Sequence, residues 1–166
     1  MNIRDAAPGD VDSIVSLVES AYRGEGSRVG WTTEADLLDG HRTDADDVRS
    51  VLPYVVLAED DTGIIGCCKL VPKGAHAYFG MFAVRPALQG DGIGSALLAH
   101  AEARAVHLGL RRVEMTVLSV RSDVIAFYER RGYRHSGETR PFPHGNDTFG
   151  LPRRNDLEFV VLTKDL

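Results

Sequence analysis

Apolar residues recur along this chain with two periods, and the points where the period changes mark out its elements. Residues 2–4 suit a short strand. Pro8 then opens a segment in which Val11, Ile14, Val15, Val18, Ala21 and Tyr22 keep the 3, 4, 7 spacing of one buried helical stripe. From 23 to 50 that pattern gives way to polar and acidic residues, among them Glu34, Asp36, Asp39, Asp44, Asp46 and Asp47, interrupted by Leu37 and Leu38. Short helices and loops are expected there. Two apolar runs, 53–58 (PYVVLA) and 64–71 (IIGCCKLV), flank Asp60, Asp61, Thr62 and Gly63, whose turn chemistry predicts an antiparallel hairpin. A third run, 77–84 (AYFGMFAV), follows the Lys73-Gly74 turn.

The helical period then returns: Ile93, Leu97, Ala101 and Leu108 predict the buried edge of a helix that ends at Gly109, a residue suited to a left-handed cap. A strand is expected at 112–118. Ser122 suits the N-cap of a helix bearing Ile125, Phe127, Tyr128 and Arg131 and stopped by Gly132, and strands follow from Tyr133 and at 157–163. The order is strand, helices, three strands, helix, strand, helix, two strands, with no repeat or linker. It predicts an α/β (α+β) fold, one domain over 1–166 with a mixed central sheet of about seven strands and helices on both faces.

Composition adds exclusions. The formal charge of -5 argues against a surface built to neutralise nucleic-acid phosphates, and equally against an anionic membrane. Cys67 and Cys68 are adjacent in a predicted strand, so their side chains point to opposite faces and no disulfide framework is expected. No basic segment with an apolar run behind it stands at the N-terminus, and no long apolar stretch occurs. A cytoplasmic protein with reduced thiols is the expectation.

Candidate chemistry begins at 84–95 (VRPALQGDGIGS), a strand end and a glycine turn running directly into an amphipathic helix. Such a turn exposes N–H groups at the positive end of a helix dipole, an anion site for which phosphate is the natural guest. The alternative is that the glycines only permit a tight connection. A dinucleotide fingerprint needs Gly where Ser95 stands, and a Walker loop needs Gly-Lys-Ser/Thr after four intervening residues; both fail. The turn also follows the fourth strand rather than opening the chain.

Gln89, Gly92 and Gly94, with Val84 and Pro86 ahead of them, resemble motif A of the GCN5-related N-acetyltransferases (GNAT), whose signature is Gln or Arg, two residues, Gly, one residue, Gly or Ala. The run 126–133 (AFYERRGY) resembles that family's motif B, a helix bearing a Tyr followed by Gly and an aromatic residue. The resemblance is specific over 53–134. It implies an acetyl-coenzyme A-dependent N-acetyltransferase that moves an acetyl group directly onto an amine of a small molecule or peptide. It also implies that backbone groups of Phe82, Ala83 and Val84 pair with pantetheine, that Gln89, Gly90, Asp91, Gly92, Ile93, Gly94 and Ser95 cradle the pyrophosphate, and that 77–84 and 112–118 splay around the thioester. Arg85 and Arg121 are candidates for the nucleotide phosphates.

Transfer to an amine needs a proton donor near sulfur, and Tyr128 in motif B is the candidate: near neutral pH a tyrosine is protonated and can reprotonate a thiolate. Many family members carry Glu on the fourth strand, where this chain has approximately Gly80, and an Asn where it has Arg121. The base is therefore open among Glu34, Glu114, Asp123, His135 and His144. His100 and His107 lie on the motif A helix, no two histidines have zinc spacing, and no metal is expected. Acceptor choice is assigned to 29–39 and 140–156, where Trp31, Phe142 and Phe149 are candidates to wall a pocket and acidic residues such as Glu34 to attract a cationic amine. The alternative function is a non-catalytic acyl-coenzyme A sensor or scaffold. A homodimer is left open.

Overall fold

A computed structural model describes residues 1–143 and 150–166. Seven strands form one sheet in the order β1-β3-β4-β5-β6-β9-β7: Asn2–Asp5, Val55–Asp60, Gly63–Lys73, His76–Val84, Arg112–Leu118, Glu158–Asp165 and Arg134–Pro141. Neighbours are antiparallel except β5 and β6, which run parallel. Helices α1 (Val11–Tyr22), α2 (Ala45–Val51), α3 (Ile93–His107) and α4 (Ser122–Glu129) cover the sheet, and β2 (Leu38–Asp39) pairs with β8 (Leu151–Pro152) apart from it.

Both faces of the sheet are covered, which explains why the central runs read as continuously apolar rather than alternating. On one face Leu97, Leu98 and Ala101 of α3 pack with Cys68, Phe79 and Met115; on the other Ile14 and Val18 of α1 pack with Cys67, Leu57 and Val55. Adjacent thiols thus enter opposite cores, and burial pushes Cys67 up to about 12. Burying an aliphatic side chain such as Leu97 completely contributes about 1.5–3 kcal/mol.

Several expected boundaries move for local reasons. Pro53 sits in a 3-10 turn, Leu52–Tyr54, so β3 starts at Val55. Leu108 lies past the end of α3 and is 51% exposed, leaving Ala105 to continue the buried edge. Arg121, not Ser122, is the N-cap of α4.

The geometry that matters is at β5. It pairs with β6 only at Ala77↔Val113 and Tyr78↔Glu114, and beyond those two rungs the strands part. On the other side its register against β4 shifts between Cys67↔Ala83 and Lys69↔Gly80, which leaves Met81 and Phe82 opposite the single residue Cys68. This is a β-bulge, and Met81 within it has φ +46°, a left-handed conformation unusual for a side chain of its size.

Candidate active site

The gap between the parted strands is a cleft of about 440 Å³, bounded by β5, β6, α4, the start of α3 and the segment after α1. At one end lies the glycine turn. Gly90 and Gly92 have positive φ, and a Cβ added at either would meet nothing within 4 Å, so their outer face is open. Gly92 caps α3, whose first residues, Ile93, Gly94 and Ser95, have no intrahelical acceptor for their N–H groups. A Cβ on Gly94 would stand 3.0 Å from Phe82 Cζ, so any side chain there would require the Phe82 ring to give way by a few tenths of an ångström. Backbone donors, a dipole end and open space together suit a phosphate group.

The other residues expected along the cofactor path are partly occupied. The Gln89 and Asp91 amides donate to Pro86 and Leu88 carbonyls at 3.3 and 3.4 Å. The Gln89 side chain is a clip: Oε1 accepts from Trp31 and Thr32 N–H at 2.8 and 3.2 Å, while Nε2 donates to Thr32 Oγ1 at 2.7 Å and the Val84 carbonyl at 3.0 Å. The Phe82 carbonyl accepts from the Tyr22 hydroxyl. A ligand pairing with this strand therefore has to share those carbonyls or use N–H groups.

Midway along the cleft stands Tyr128, held in an aromatic cluster with Phe82, Phe127 and Tyr133 at centroid separations of 6.2, 5.2 and 5.7 Å. Its hydroxyl has no hydrogen-bond partner among the described residues. Burial, and then the neighbouring Tyr22 and Tyr133, raise it well above the ordinary tyrosine value, so it keeps its proton through neutral and moderately alkaline pH.

Several candidates are assigned elsewhere by the structure. Arg121 is buried, and its guanidinium donates to the carbonyls of Trp31, Thr32 and Thr33 and to Asp123; with all its donors engaged it is a clamp on the 31–33 segment, not a phosphate ligand. Arg85 donates to Thr62 Oγ1 and the Ile64 carbonyl at the hairpin turn. Glu114 is tied to Arg140 at 2.9 Å in an adjoining groove that shares Lys69, Tyr78, Thr116 and Phe159 with the cleft, and His135 of β7 faces Glu129 at 3.5 Å. Phe149 and His144 lie outside the described residues. Trp31, Glu34 and Phe142 do line the cleft, with Trp31 packed 5.6 Å from Phe127.

The expected acidic lining is corrected. Glu34 is the one carboxylate among the described residues of the cleft wall, and it is paired with Arg23 at 2.6 Å. Cations outnumber it: Arg23, Arg42 and Lys69 share its end of the cleft.

A model of the acetyltransferase (GNAT) family matches residues 12–133. The chain belongs to this family. It is 33% identical over 136 residues to an amino-acid acetyltransferase of Ralstonia nicotianae, covering 81% of this chain and 26% of that protein, so it spans about a quarter of that relative. In fold it is similar to the ribosomal-protein-S18-alanine N-acetyltransferase of Escherichia coli (TM-score 0.73, 13% identity, 99% and 92% of the two chains). It is also similar to the N-acetylglutamate synthase of Neisseria gonorrhoeae solved with coenzyme A and N-acetyl-glutamate (TM-score 0.67, 21% identity, 99% and 35% of the two chains).

Sequence reasoning on this GNAT chain passed over three groups. Arg131 donates to Ser95 Oγ at 2.6 Å and lies 3.6 Å over the Phe127 ring, tying α4 to the start of α3. Nothing in its spacing distinguishes it from a solvated helix-end arginine. Tyr22 ends α1 and reads as core. Lys69 did carry a signal, as the only charged residue in the run 64–71. Among the described residues no group of three or more His, Cys, Asp or Glu side chains is arranged to hold a metal, and no helix is long and apolar enough to cross a membrane.

Proposed function

We propose that the chain is an acetyl-coenzyme A-dependent N-acetyltransferase acting on an amine by direct transfer. The observation that carries this reading is the cleft itself: parted strands lead from an open, N–H-rich helix start to the hydroxyl of Tyr128, which has no hydrogen-bond partner among the described residues. In this reading the N–H groups of Gly92, Ile93, Gly94 and Ser95 hold the pyrophosphate. The edge of β5 at Phe82, Ala83 and Val84 guides pantetheine toward Tyr128. The glycine positions fit that cofactor because a side chain there would occupy the open face or displace the Phe82 ring.

The amine nitrogen bonds the thioester carbonyl carbon, the carbon–sulfur bond breaks, and the sulfur takes a proton from Tyr128 Oη as the amine gives one up. The raised affinity of Tyr128 for its proton keeps the hydroxyl protonated at working pH and so able to hydrogen-bond the departing thiolate. Because a coenzyme thiol, with a value near that of cysteine (about 8.5), is the stronger acid, the transfer itself runs uphill and is completed when the proton given up by the amine returns to the Tyr128 oxygen. In the same reading Glu34 receives the amine's proton directly or through water; what supports this is that it is the one carboxylate among the described residues of the cleft wall. One domain over 1–166, working in the cytoplasm with both thiols reduced, is part of the same proposal; what supports it is one continuous sheet and two buried, unbridged cysteines.

Release of free thiol from acetyl-coenzyme A across a panel of amines, with intrinsic hydrolysis subtracted and acetylated product weighed by mass spectrometry, tests it. Amine-dependent release with matching product is expected. Tight coenzyme binding with no amine-dependent release would establish the sensor alternative instead.

A further inference from the structure

The far end of the cleft carries two cations that no ion pair among the described residues neutralises. Lys69 on β4 lies opposite Gly80, and its Cε would be 3.2 Å from a Cβ placed there; the Tyr78 ring approaches the same point to 3.0 Å. The space left by the missing side chain of Gly80 is therefore filled by a lysine stem, and an ammonium enters the cleft. The Lys69 Nζ stands 5.9 Å from the Tyr78 ring centroid, and Arg42 lies 5.7 Å over the Tyr22 ring. Among the described residues neither cation has an ion-pair partner. Arg23 is matched by Glu34, so Arg42 and Lys69 are the surplus. Burial, with Arg42 and Lys73 nearby, lowers the affinity of Lys69 for its proton by more than Asp47, which makes no ion pair with it, raises it.

Position along β5 separates these cations from the phosphate end. The glycine turn follows Val84, the bulge and Tyr128 come next, and Gly80 with Lys69 lies beyond them, on the order of 10 Å from the turn at about 3.3 Å per residue. A phosphate seated at α3 does not reach them. Whatever meets Arg42 and Lys69 arrives with the acceptor, on the far side of the reacting carbon.

We infer that the acceptor is a small amine carrying a carboxylate, held by Arg42 and Lys69, and not a polyamine or other polycation. This deepens the acetyltransferase reading and rests on it. An amine that enters neutral and brings an anionic group cancels the surplus charge through charge-assisted hydrogen bonds, whereas a second cation would be repelled by it.

Michaelis constants for L-glutamate, glycine and putrescine, measured with saturating acetyl-coenzyme A on wild type, Lys69→Met, Lys69→Arg and Arg42→Gln, test the inference. The carboxylated amines should exceed putrescine in kcat/KM by about tenfold or more. Lys69→Met, which keeps the stem that fills the Gly80 space, and Arg42→Gln should each raise KM for them by about tenfold while kcat moves little, as for loss of uniform binding. Lys69→Arg should restore KM. A preference for putrescine, or unchanged KM in folded Lys69→Met and Arg42→Gln, overturns the inference and leaves acetyl transfer standing. If no amine is acetylated, the transfer reading fails on its own, and calorimetry of L-glutamate with the coenzyme A complex decides the anion site. Binding weakened by Lys69→Met supports it; no binding removes it.

Discussion

The two ends of the cleft are built by different means. The proposed phosphate end is contiguous in sequence: a strand end, two glycines of positive φ and the first turn of α3, with backbone N–H groups as the donors it offers. The acceptor end is assembled from side chains on α1, the 31–42 segment, β4, β5 and β6, each conditioned by a neighbour from elsewhere. A backbone site is specified by where the chain turns; a side-chain site is specified by who meets whom across the fold. Tyr128 sits where the two ends join, so its removal should have the largest effect and should spare both. In Tyr128→Phe the ring cluster with Phe82, Phe127 and Tyr133 is kept and only the hydroxyl is lost. Single-turnover acetyl transfer should fall by about 10² to 10⁴, roughly 3–5 kcal/mol, with the coenzyme dissociation constant and acceptor KM little changed. A wild-type rate would make Tyr128 a packing residue.

The next effect belongs to the phosphate end alone. Gly92 caps α3 at φ +85°, where a side chain is strained by about 1–2 kcal/mol and would project into the open face of the turn. Gly92→Val should weaken coenzyme A binding by about 10- to 100-fold in calorimetry. Circular dichroism should still report the native fold. Unchanged affinity in the folded variant would take the turn out of the site and end the contrast between the two ends.

That contrast also explains what was legible beforehand. The strand and helix order, the two-sided sheet and the glycine turn follow from short-range pattern, and each is found in the structure with shifts of a residue or two at Pro53 and Ser122. The Met81 bulge was not legible, because its cause is a register difference between β4 and β5 that neither run shows alone. Nor was the charge of the acceptor end. Glu34 looked like an acidic lure in sequence, but its partner Arg23 and the cations Arg42 and Lys69 reach it only through tertiary packing. Gly80 looked like a missing base; its cross-strand neighbour shows that the space is occupied by Lys69.

Gln89 sharpens the comparison because it belongs to the turn by sequence and to the acceptor wall by contact. Its side chain joins Trp31 and Thr32 to Val84, while its own amide is used by Pro86. Gln89→Leu should therefore raise acceptor KM by about three- to tenfold and lower stability by about 1–2 kcal/mol, through lost side-chain hydrogen bonds and loosening of the 31–33 segment. The coenzyme dissociation constant should move less than the acceptor KM. The reverse ranking would assign the Gln89 side chain to the cofactor.

The smallest effect is expected at Arg85, which a reading by proximity alone would place on the phosphates. The guanidinium instead spans back to the β3–β4 turn, where Nη1 donates to Thr62 Oγ1 at 2.8 Å and Nη2 to the Ile64 carbonyl at 2.9 Å. Thr62 in turn donates to Asp60 and holds that carboxyl below its usual range, so the arginine completes a hairpin network outside the cleft wall. Arg85→Ala should cost at most about 1 kcal/mol of stability, the net worth of two partly exposed hydrogen bonds. Coenzyme A affinity should stay within about twofold, as for a surface substitution away from a site. Calorimetry at low and high salt checks this directly: a tenfold loss that shrinks as salt screens the charge would mean that Arg85 leaves the hairpin to reach a phosphate. The phosphate end would then depend, like the acceptor end, on a side chain whose resting partner is elsewhere, and the division between a backbone-built and a side-chain-built half of the cleft would no longer hold.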